Sequence, residues 1–85
     1  MHDTFLLNRI SESLIKLCNE DKIFRITKLR IITNHHSHIQ ESNLYEHLLR
    51  NTNGVVGEWT EIIIDRQDIE NLTAIIDKVE GDTLE

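Results

Sequence analysis

The first residues of the chain, Met1-His2-Asp3, bring together the terminal amine, the amide nitrogen of His2 and the His2 imidazole. These nitrogens can close adjacent chelate rings around one ion, and nitrogen donors in a plane suit Cu(II) or Ni(II). The bulky second residue disfavours removal of Met1, so the amine is that of Met1 itself. The competing reading is a frayed terminus that holds nothing, as most termini are. A second group of imidazoles, His35, His36 and His38, lies in the polar stretch Asn34-His35-His36-Ser37-His38. In an extended segment His36 and His38 share a side, and imidazole suits nickel, copper and zinc. The competing reading there is a solvated loop. If that loop folds near the N-terminus, one of its histidines can complete a coordination shell begun by His2. His47 falls on the exposed part of a short helix and is read as inert.

The elements that must position these residues are visible as periodicity. Thr4 can cap a helix running to about Asn19, in which Leu6, Leu7, Ile10, Leu14, Leu17 and Cys18 share one face. The charged break Asn19-Glu20-Asp21-Lys22 ends it. Residues 24–33 are rich in β-branched types and read as a strand, with Leu29, Ile31 and Thr33 on one face and Arg25, Lys28 and Arg30 in solvent. A short helix over about 42–51 would bury Leu44, Leu48 and Leu49. Gly54 and Gly57 frame a turn, residues 59–65 form a second strand, and Trp59 is read as core. The last segment admits two readings. Ile69, Leu72, Ile75, Ile76 and Val79 fit a helix capped by Asp68 and stopped by Gly81. Residues 73–80 can instead be a third strand reached through Arg66-Gln67-Asp68, because two strands alone make a poor sheet. Periodicity tips the balance to the helix.

The expected fold is α+β: a small two-layer domain with two to three helices packed on a two- to three-stranded sheet. With 85 residues the chain is one domain, spanning residues 1–83, and Leu84-Glu85 is expected to be a cloning remnant. A chain this short buries only about 60% of its unfolded surface, so partner contacts or formation of a homodimer would add stability. The net charge of −6, from 15 acidic against 9 basic residues, argues against a nucleic-acid binder. The single cysteine, Cys18, allows no internal disulfide and fits a buried site in a reducing compartment. Neither a charged leader with an apolar run nor a long apolar segment is present, so no membrane association is expected and the location is read as cytoplasmic.

Read in order, these landmarks resemble the nickel-binding domain of the HypA family. Met1-His2-Asp3 stands where the family opens Met-His-Glu before an amphipathic helix. Arg25-Ile26-Thr27-Lys28 with Leu29 and Ile31 matches its first strand, and Asn34-His35-His36-Ser37 stands at its Gly-x-x-Ser corner. Leu44 and Leu48 fall on the second helix, and Gly54-Val55-Val56-Gly57-Glu58 before Ile62 and Ile64 matches its Gly-x-x-x-Glu turn into an apolar strand. The resemblance covers residues 1–65. It implies an accessory protein that carries nickel for [NiFe] hydrogenase or urease maturation, with Ni(II) as transferred cargo. It implies that Met1 supplies the amine, His2 an amide nitrogen and its imidazole, and Asp3 an amide nitrogen and a nearby charge. The implied partners are a GTPase metallochaperone or a nickel-enzyme precursor.

The departures from the family pattern are specific. The family's zinc module, with two Cys-x-x-Cys pairs after the second strand, is missing, and no cysteine follows Cys18. A four-thiolate structural zinc site is therefore excluded. Asn34 replaces the corner glycine, which is tolerable because Asn enters left-handed backbone more readily than most residues. The resemblance also implies that the chain after Asp65 returns as the strand closing the sheet, against the helical periodicity. No Gly-rich phosphate loop, nucleophile elbow or catalytic cysteine context is found, and no enzymatic activity is expected. The rival function is a paralogue without the zinc module that keeps the scaffold as a protein-interaction or regulatory module.

Overall fold

The computed structural model describes residues 4–84. Helix α1 (Thr4–Asp21) is followed by strand β1 (Ile23–Asn34), helix α2 (Glu41–Asn51), strand β2 (Glu61–Gln67) and strand β3 (Ala74–Thr83). The fold is α+β, with both helices contributing to one hydrophobic core over a three-stranded mixed sheet of order β2-β1-β3.

Spacing explains α1 directly. Leu6, Ile10, Leu14 and Cys18 recur every fourth residue and are all buried, while Leu7 and Leu17 are half-buried at the edges of the stripe. Each fully buried aliphatic side chain here contributes about 1.5–3 kcal/mol. Lys22, with φ of 59°, takes the left-handed position that terminates the helix. The Leu84 N–H donates to the Lys22 carbonyl at 2.9 Å, tying the far end of the chain to this corner. In α2 only Leu44 and Leu48 are buried. Leu49, expected inside, is 46% exposed because its neighbour Leu48 already occupies the face turned to the core.

Strand β1 is the centre of the sheet. It runs parallel to β2, from Lys28 opposite Glu61 to Asn34 opposite Gln67. A parallel pair needs a crossover, which α2 supplies. On its other side β1 pairs antiparallel with β3, from Ile23 opposite Thr83 to Thr33 opposite Ala74. On the face away from the helices, Arg30 reaches Asp65 on β2 and Asp77 on β3, both at 2.6 Å, and so links all three strands.

Residues 74–83 are thus a strand, not the helix that periodicity favours. The reason lies in the register. Arg30 pairs with Lys78 and Ile31 with Ile76, so Asp77 is an extra residue on β3. A bulge of this kind puts Ile76 and Val79, three residues apart, on the same side, where both pack against the core. Strand plus bulge imitates helical spacing. Gly81, expected to stop a helix, instead permits close approach: a Cβ there would stand 2.1 Å from the Arg25 carbonyl oxygen.

His47 also differs from expectation. It is half-buried on α2, and its Nε2 is buried with no hydrogen-bond partner among the described residues. Burial lowers its pKa from the usual 6.5. The neutral ring is favoured in the fold, so its contribution to stability is present above pH 6.5 and lost as pH falls through the depressed value. Thermal melts at neutral pH and near pH 5 should show a larger acid-induced loss for the native chain than for His47→Gln. Equal losses would show that His47 does not sense pH.

Candidate functional site

The site is determined by how the chain crosses the end of β1. Strand β2 ends with Gln67 opposite Asn34, and β3 begins with Ala74 opposite Thr33. The segment 68–73 must therefore pass over the C-terminal end of the central strand, a span of two strand spacings or about 10 Å. The segment that follows β1, residues 35–39, leaves from the same place. Helix α1 runs back along the sheet and places its first turn there too. These pieces enclose an open hollow lined by Leu6 of α1, by His36 and His38 after β1, and by Asn71, Leu72 and Thr73 before β3.

Asn34 and Arg66 brace it. Asn34 is buried, and its amide serves both loops: Nδ2 donates to the Ile69 carbonyl, and Oδ1 accepts the His36 N–H at 2.8 Å. The Asn34 carbonyl accepts the Ser37 N–H at 3.1 Å. Arg66 donates from Nη1 to the Ser37 carbonyl at 3.0 Å and from Nη2 to the Ile39 carbonyl. The Ser37 hydroxyl accepts the Ile39 N–H at 3.2 Å, and the loop passes into α2 where Asn43 Oδ1 accepts the Gln40 N–H at 2.8 Å. Across the hollow Leu72 has φ of 61° and is 70% exposed. Left-handed backbone is strained for a bulky side chain, and the Asn34 contact to Ile69 helps hold that loop.

Two sequence expectations are revised by this arrangement. Asn34 is not in left-handed backbone; it is the last residue of β1 and works through its side chain. Arg66, read as part of a turn, is a strand residue whose guanidinium pins the histidine loop. The available signal is a polar residue at or next to the end of each of two adjacent apolar strands, which implies that its hydrogen bonds are satisfied internally.

Met1, His2 and Asp3 lie outside the described residues, which begin at Thr4 of α1. Of the histidines after β1, His36 and His38 line the hollow together and His35 is exposed outside its lining. Among the described residues no group of three or more His, Cys, Asp or Glu is arranged to hold a metal ion. The histidine loop by itself is therefore not a closed site. Cys18 is buried as expected, and burial, with the Asp21 charge as a smaller cause, pushes its thiol pKa up. A thiol kept protonated is a poor ligand or nucleophile.

Comparison with protein-family models and with curated proteins finds no match to the chain. No helix among the described residues is long and apolar enough to cross a membrane.

The brace can be tested without any ligand. Asn34→Ala should accelerate amide hydrogen exchange at His36 and lower stability by about 1–3 kcal/mol, because the Ile69 carbonyl and the His36 amide both lose their partner. Unchanged exchange at His36 would show that the loop holds its own shape.

Proposed function

We propose that this chain is a HypA-like nickel-binding accessory domain without a zinc module, acting in the cytoplasm as a metallochaperone for maturation of a nickel enzyme such as [NiFe] hydrogenase. The observation that carries this reading is that His36, His38 and the first turn of α1 share one hollow. The nitrogen donors of Met1-His2-Asp3 immediately precede Thr4, the first residue of α1, in the sequence. In this reading they share one ion with an imidazole of the histidine loop. The donor set, amine, amide and imidazole nitrogen, is the set that suits Ni(II) or Cu(II).

In this reading the metal is cargo and the protein is not an enzyme. The hollow is open, which fits an ion that is handed on to a GTPase metallochaperone or a nickel-enzyme precursor. A second reading, an interaction module that has lost metal transfer, is favoured by one observation: Trp59, expected in the core, is 45% exposed.

Calorimetric titration with Ni(II) at neutral pH separates the two. Untagged protein with a free terminus should bind stoichiometrically. Binding should be lost in His2→Ala and in a chain extended before Met1, and should weaken as pH falls through about 6.5, because an imidazole must be neutral to ligate. Absent binding, or binding indifferent to both alterations, would favour the interaction module.

A further inference from the structure

We propose that the surface formed by Phe24, Arg25 and Trp59, at the end of the sheet remote from the histidine loop, docks a partner-protein segment that presents an Asp or Glu side chain beside an aliphatic one. The Arg25 guanidinium carbon stands 5.0 Å from the centroid of the Trp59 ring and 5.8 Å from that of Phe24. Both rings remain open to solvent, at 45% and 44% exposure. Trp and Arg are the residue types that most often dominate binding energy at interfaces.

The platform is built before any partner arrives. Ile23 pairs with Thr83 and Arg25 with Asp82, so Phe24 is an extra residue at a bulge, a device that re-aims side chains. Trp59 lies flat on Gly57, where a Cβ would come within 2.4 Å of the ring, and its Nε1 donates to the Val55 carbonyl at 3.3 Å. The turn itself is fastened to β1: the Ile26 N–H donates to Val55 at 2.9 Å, and the Thr60 hydroxyl donates to the Ile26 carbonyl at 2.6 Å. Side chains already ordered lose little entropy on binding.

Charge identifies the occupant. Arg30 holds two carboxylates and Lys78 holds one, yet among the described residues Arg25 has no carboxylate partner, not even Asp82 beside it in the register. A guanidinium held over two aromatic rings keeps N–H donors for a carboxylate, to which it can donate bidentately. Ile23, the chain neighbour of Phe24, and Val55, whose carbonyl accepts the Trp59 Nε1–H, line a mainly apolar hollow with Leu14, Ile15 and Cys18, which receives the aliphatic side chain. The net charge of −6 works against long-range steering of an acidic partner. The contact is thus made by stacking and short-range pairing, and nucleic acid is disfavoured as the occupant.

The test is selection of a random displayed-peptide library on the full chain at ~0.15 M salt, followed by titration of the selected peptides. Trp59 is the single tryptophan, so its emission reports the site. The expected result is enrichment of Asp or Glu next to Leu, Ile or Val, a shift in Trp59 emission on binding, and about tenfold weaker binding to Arg25→Gln. Arg25→Lys should not restore affinity. Peptides lacking acidic residues, affinity unchanged in Arg25→Gln, or no selected binder would each overturn the proposal. Circular dichroism of Arg25→Gln checks that the fold is intact, and none of these readouts depends on nickel.

Discussion

Burial of the last four residues of β1, Ile31 to Asn34, is the constraint from which the rest of this small protein follows. The helices cover one side, and the neighbouring strands with their charged network crowd the other. A strand buried to its end brings polar groups into the interior, and those groups need partners. Asn34 meets the requirement by bonding to both loops that cross above it. Arg66, one strand over, meets it for the carbonyls of Ser37 and Ile39. Solving the hydrogen-bond problem at the end of the sheet therefore also fixes where His36 and His38 are displayed.

The two ends of the molecule are consequently different in kind. One is a polar end, where loops and the start of α1 meet around imidazoles. The other is an aromatic and cationic end, where the turn 52–60 is bonded onto the first residues of β1 and carries Trp59 against Arg25. The sheet separates them, so substitutions at one end should leave the other unchanged.

Much of this was legible in the sequence. The fourfold spacing of Leu6, Ile10, Leu14 and Cys18 defined α1, and the β-branched run defined β1. What was illegible depended on irregularity or on tertiary contact. The bulge at Asp77 gave β3 the spacing of a helix, and Gly81 looked like a helix stop because close strand approach leaves no local signal. Backbone preference at Asn34 points to a corner residue, whereas its side chain is what matters. The sequence neighbours of Arg66 and Trp59 suggest a turn and a core position, whereas their roles come from residues roughly thirty positions away (Ser37 and Arg25).

The central claim is that the chain's start and the histidine loop form one nickel site at the Asn34 end. The most direct measurement is a Ni(II) titration followed residue by residue in amide NMR spectra of the untagged chain. The account predicts shifts or broadening confined to the first turn of α1, residues 34–38 and residues 69–73, with Trp59 and Arg25 unaffected. Changes centred elsewhere, or none with nickel in excess, would contradict it.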